Sequence, residues 1–169
     1  MVGTIGTMSP RRERVAATTL GVVRAATGAL FLYAAWTSLA PPSPTGDELR
    51  TLIEGALPGL PGPAAWWADE VLLHRPSIAA AVWRWALLAV GTGLALGAFV
   101  RPLGLLGAIL MAHAWTYGRP DFGPHHLFLA FLCAAFALAR AGRVFGLDEA
   151  LDNLFPSWMT FAPDRRRRY

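Results

Sequence analysis

The chain has 169 residues, 54% hydrophobic and 15% charged, with one cysteine and a formal net charge of +4. With Gly counted in place of Tyr the apolar share is about 62%, against ~45–50% for soluble domains, which argues against a soluble globular domain, while disorder, collagen, a coiled coil and a disulfide scaffold are excluded. Every basic residue is an arginine, placed at the ends of apolar runs or in a tail rather than in a stripe interleaved with aromatics, which argues for a membrane topology signal and against nucleic acid.

Residues 1–14 are a basic tail carrying Arg11, Arg12 and Arg14. The first span runs over residues 15–40, interrupted only by Arg24, and ends at Pro41-Pro42; it is too long for the apolar region of a cleaved signal. A loop over 41–75 follows, acidic and rich in proline. Within it, Leu49, Leu52, Ile53, Ala56 and Leu57 recur at the spacing of an amphipathic helix. Trp66 and Trp67 come next, as aromatics do at headgroup level. The second span covers 77–100 with Arg84 as its one charge. A tight turn at Arg101-Pro102 leads to the third span, 102–117, and the fourth covers 124–141. Each run approaches the length needed to cross ~30 Å of hydrocarbon as a helix. Beyond it, Leu147, Ala150, Leu151, Leu154 and Phe155 predict a second amphipathic helix, and Arg165 to Arg168 form a tail attracted to anionic lipid.

These elements predict an all-α integral membrane four-helix bundle with a long first outer loop and a short cytoplasmic amphipathic helix. The organisation is a tail at 1–14, a four-span domain at 15–141 and a cytoplasmic segment at 142–169. With both termini inside, ten arginines are cytoplasmic and three (Arg50, Arg75, Arg119) are outside, the distribution of a multi-pass protein of the plasma membrane. Small residues at four-residue spacing, such as Gly93 and Gly97 or Gly104 and Ala108, allow close approach of helices that lipid does not drive together.

Intramembrane polar residues are the functional candidates, because a buried arginine costs at least ~2.5 kcal/mol unless it snorkels or pairs. Arg84 lies about two turns inside its span. It either pairs with Asp121 or Glu70, or forms with Asp121, His125 and His126 an outward-facing anion pocket. Arg24 meets no membrane acid in the sequence and is expected to snorkel or bond free carbonyls. His113, in Met111-Ala112-His113-Ala114-Trp115, serves as an interhelical hydrogen-bonding group, as a quinone or substrate contact together with Trp115, or as a haem ligand. No metal site is expected, since adjacent His125 and His126 diverge by about 100° on a helix. Arg143 and Asp148, at the end of the fourth span and the start of the surface helix, suit the dipoles of those helix ends and are expected to be structural, like Arg24. The chain has no GxGxxG, P-loop, GxSxG or HExxH motif.

Three segments together resemble the DoxX family, the group that includes the small, DoxD-type subunit of thiosulfate:quinone oxidoreductase. They are Val23-Arg24 through Gly28 to Phe31 in the first span, Gly91 through Gly97 to Arg101 at the end of the second, and Ala141-Gly142-Arg143 through Gly146-Leu147-Asp148. The resemblance covers residues 15–152. It departs from the family at Leu87, where relatives often carry a glutamate, and at Ala35-Trp36-Thr37-Ser38, where Gly-x-x-Lys is usual. It implies a membrane subunit of a quinone-linked, sulfur-compound oxidoreductase with quinone reached from the bilayer, no covalent cofactor, and membrane lipids plus a second subunit or further copies of itself as partners. The other function class is a non-enzymatic membrane scaffold or lipid-handling protein.

Overall fold

The first apolar run forms α1 (Pro10–Leu39), whose segment Val15–Ser38 is long and apolar enough to cross a membrane. Its hydroxyls are accommodated locally: Thr27 Oγ1 donates to the Val23 carbonyl at 2.8 Å and Ser38 Oγ to the Ala34 carbonyl at 2.7 Å, each one turn back. The structure, a computed structural model, describes residues 10–39, 46–117, 125–139 and 146–148. Within these residues the chain is all-helical, with no strand. After α1 come α2 (Gly46–Ala56), a 3₁₀ turn (Leu57–Gly59), α3 (Gly62–Trp67), a π-helical turn (Ala68–Leu72), α4 (Pro76–Leu96), α5 (Val100–Thr116) and α6 (His126–Leu138). Of these, α4 is the second helix with the length and apolarity to cross a membrane. Helices α5 and α6 have 17 and 13 residues.

Helices α1, α4, α5 and α6 share one core. Phe31 and Ala35 from α1, Leu87, Val90 and Leu94 from α4, Met111 and Ala114 from α5, and Cys133 and Phe136 from α6 are its buried members. The closest pairings are α1 with α4 and α5 with α6. At the first, Gly28 and Gly91 face each other so closely that a Cβ on Gly28 would lie 2.8 Å from the Gly91 carbonyl oxygen. The crossing is made by Gly28 and Gly91, which are not among the small residues picked out by four-residue spacing in the sequence.

The turn between the second and third apolar runs differs from the expected one. It falls at Gly97–Phe99, four residues before Arg101-Pro102. Gly97 adopts φ 68° and closes α4, with the Ala98 N–H returning to the Gly93 carbonyl at 2.9 Å. Pro102 then sits in the first turn of α5, where its missing N–H removes no helical hydrogen bond.

The amphipathic segment after Asp47 forms α2 as expected, but its apolar face is spent on protein. Leu49 and Ile53 are buried in a second cluster with Ala68, Ala80 and Tyr117, and α2 packs on α4. On its exposed face Arg50 Nε donates to Glu54 at 2.8 Å, one turn along. The predicted surface helix starting at Leu147 lies outside the described residues except for Leu147 and Asp148.

Candidate functional site

Antiparallel passage through the Gly97 turn brings Trp83 of α4 level with His113 of α5. Their ring centroids are 6.4 Å apart with planes inclined at 36°. One turn further along α5, the Tyr117 ring meets His113 edge-on at 4.6 Å and 64°, an arrangement aromatic quadrupoles favour. The Tyr117 hydroxyl donates to the Ala64 carbonyl at 3.1 Å, which ties α3 to the end of α5. The imidazole is thus held between two aromatic rings from different elements.

Beside these rings lies a cavity of about 780 Å³ between α3, the π-helical turn, α4 and α5. Its walls are mainly aliphatic and aromatic, with Trp67, Leu72, Ile78, Val82, Ile109 and Leu110 among them. Its polar members are few. Thr116 Oγ1 is already donated to the Ala112 carbonyl at 2.9 Å, which leaves His113 within the cavity and Arg75, at the N-cap of α4, near its α3 end. A pocket of this size with a mostly apolar wall and a small number of polar points has the character of a small-molecule site.

The sequence candidates distribute unevenly around it. His113 lines the cavity. Trp115 does not: it is two residues further on, on a different face of α5, and 55% exposed. Arg84 follows Trp83 but is turned by about 100° around α4 and does not line the cavity. His125, the N-cap of α6, is exposed and His126 is buried, and neither reaches the cavity. Asp121 and Arg143 lie outside the described residues. The residues that reasoning from sequence passed over are Arg75, Ile78, Val82 and Ile109. The i, i+4 pairing of His113 with Tyr117 was visible; the approach of α3 was not.

A second polar constellation sits at the opposite end of α4, where Arg24, Gly97 and Asp148 come together. Arg24 is buried (1% exposed) and packs against Gly97, where an added Cβ would lie 2.7 Å from Arg24 Nη1. Asp148 is fully buried, and its carboxylate accepts the N–H of Phe99 at 2.6 Å and of Val100 at 3.2 Å. Its own N–H donates to the Gly97 carbonyl at 3.0 Å, and that of Leu147 to the Leu96 carbonyl at 3.2 Å. One expectation is corrected here. Arg24 does have an acid to meet, since it interacts electrostatically with Asp148. Asp148 complements the N-terminal dipole of α5; the helix expected to begin beside it lies outside the described residues beyond Asp148.

Among the described residues no group of three or more His, Cys, Asp or Glu is placed to hold a metal ion. No protein-family model, curated protein or solved structure matches this chain.

Proposed function

We propose that the chain is a four-span protein of the plasma membrane with both termini cytoplasmic, and that it binds a quinone between α3, α4 and α5 as the membrane subunit of a quinone-linked oxidoreductase. The observation that carries this reading is the cavity itself: about 780 Å³, apolar, with an imidazole presented between two aromatic rings. In this reading the arginine distribution favours an outer position for its α3 end, and α5 and α6, with 17 and 13 residues, serve as the third and fourth spans beside α1 and α4.

The fit to a quinone is chemical. A flat, apolar ring with two carbonyls needs an aromatic wall, a dry surround and one or two hydrogen-bond donors. Trp67 and Trp83 supply the wall. His113 supplies a ring N–H to a carbonyl oxygen and, as a neutral imidazole, a place for a proton. Tyr117 and Trp83 fix the plane of His113 while the aliphatic residues exclude water. A bound quinone supplies two-electron, two-proton redox chemistry that the side chains lack. With no cofactor motif in the chain, reducing equivalents come from a second subunit.

One observation favours the alternative of a non-enzymatic, lipid-handling protein. Leu87, at the position where DoxX relatives often carry glutamate, is fully buried among apolar residues. Titration of the purified protein with a short-chain quinone separates these readings. Saturable quenching of tryptophan fluorescence, together with quinone reduction when thiosulfate and the copurifying partner are supplied, supports the oxidoreductase subunit. Saturable binding without reduction supports lipid handling, and absence of saturable binding contradicts the quinone site.

A further inference from the structure

Helix α3 is weakly anchored for an element that walls a cavity. Pro63, Ala64 and Trp67, on one face of its six residues, line the cavity, while Trp66 on another face is exposed. None of the six is buried, and α3 packs mainly on the π-helical turn that follows it. Its first backbone bonds are local: the Ala64 and Ala65 N–H groups both donate to the Pro61 carbonyl, at 2.9 and 3.0 Å. The chain enters α3 through Gly59 and an extended Leu60-Pro61 step, and an added Cβ on Gly59 would meet nothing within 4 Å. The Tyr117 hydroxyl ties α3 to the end of α5 by donating to the Ala64 carbonyl at 3.1 Å.

We infer that α3 is a lid with Tyr117 as its latch: it opens by local unfolding about the Gly59–Pro61 hinge, and it closes when a ligand in the cavity gives Pro63, Ala64 and Trp67 a surface to bury against. This rests on the reading of the cavity as a quinone site and adds how that site is covered. The physical reason is the small cost of opening. A segment opens at the cost of the buried contacts and hydrogen bonds it gives up, and α3 gives up the Tyr117 bond and the contacts of a partly exposed Trp67 ring. A ligand against that face adds apolar burial that only the closed form has, so binding shifts the population toward closure. Tyr117 joins the two halves of the arrangement, because the ring that meets His113 edge-on at 4.6 Å carries the hydroxyl that holds Ala64.

The test is hydrogen–deuterium exchange of the full chain in lipid nanodiscs, read on peptides covering α3 and the π-helical turn, with and without a short-chain benzoquinone. In the protein alone, residues 64–72 should exchange about a hundredfold faster than the middle of α4. Tyr117→Phe removes the latch and keeps the ring; it should speed exchange over 64–72 about fivefold, the factor for one hydrogen bond, leave α4 unchanged, and speed quinone dissociation. Saturating quinone should slow the same peptides about tenfold. Exchange over 64–72 as slow as in α4, or unchanged by Tyr117→Phe, would overturn the lid. Saturable quinone binding that leaves those peptides unprotected would overturn closure on the ligand while keeping the site. Fast, latch-dependent exchange with no saturable quinone binding would overturn the quinone site and leave the latch standing. Should Tyr117→Phe fail to fold, Gly59→Ala gives the complementary reading: restricting the hinge should slow exchange about two- to threefold, and an unchanged rate contradicts a hinge there.

Discussion

Asp148 receives the backbone N–H of Phe99 at 2.6 Å, and Phe99 holds φ at 52°, a left-handed conformation that side-chain-bearing residues seldom adopt. A carboxylate from a distant segment thereby stabilises the strained residue that starts α5, and Arg24 lies close enough to share its charge. Removing this carboxylate leaves two buried backbone N–H groups without their acceptor, at about 1–3 kcal/mol each. Asp148→Ala should lower stability in mild detergent by about that much, and Asp148→Asn, which keeps an acceptor but not the charge, by less. Thermal unfolding followed by size-exclusion chromatography checks both; an unchanged Asp148→Ala protein would show the cap to be dispensable.

At the crossing of α1 with α4, substitution is limited by backbone. A Cβ on Gly91 would lie 2.8 Å from the Leu32 amide nitrogen and 2.9 Å from Leu32 Cγ, and one on Gly28 would lie closer still to the Ala95 amide nitrogen, so backbone must shift in either case. Gly28→Ala and Gly91→Ala should each destabilise by about 1–3 kcal/mol through overpacking. Gly55 in α2 has nothing within 4 Å, so Gly55→Ala should stabilise by about 0.5–1 kcal/mol. Opposite shifts in melting temperature are the expected result.

Much of the helical plan was legible in the sequence because apolar runs and their proline boundaries are local signals. The α4–α5 turn was misplaced because Arg101-Pro102 is a strong breaker in general, while proline is harmless in a helix's first turn and Gly97 can take φ 68°. His113 was found because a histidine in an apolar run is conspicuous. The rest of the cavity was hidden for the opposite reason: Ile78, Val82 and Ile109 resemble any lipid-facing residue, and only the approach of α3 makes them a wall. Arg84 drew attention by its cost in a membrane, yet helix phase turns it away from the cavity that its neighbour Trp83 lines.

That phase difference sets up a discriminating pair. His113→Leu should weaken quinone binding about tenfold, the value of one hydrogen bond of ~1.4 kcal/mol, with melting close to wild type. Trp115→Ala and Arg84→Leu should leave affinity within twofold. Fluorescence titration of the three variants decides whether the site is the cavity or an arginine pocket.

Topology is checked by fusion. Alkaline phosphatase joined after Gly62 should be active in the periplasm, and joined after Tyr169 inactive, if the proposed topology, with ten arginines on the inner side and three on the outer, is correct. The reverse pattern would put the cavity on the cytoplasmic side.

The most direct measurement is photolabelling of the protein in nanodiscs with an azido-quinone, followed by peptide mapping with and without excess unlabelled quinone. The cavity predicts competed label on peptides carrying Trp67, Trp83 and His113, and only uncompeted background on α1 and α6. Competed label on α1 or α6, or label everywhere that excess quinone does not remove, would contradict a quinone site between α3, α4 and α5.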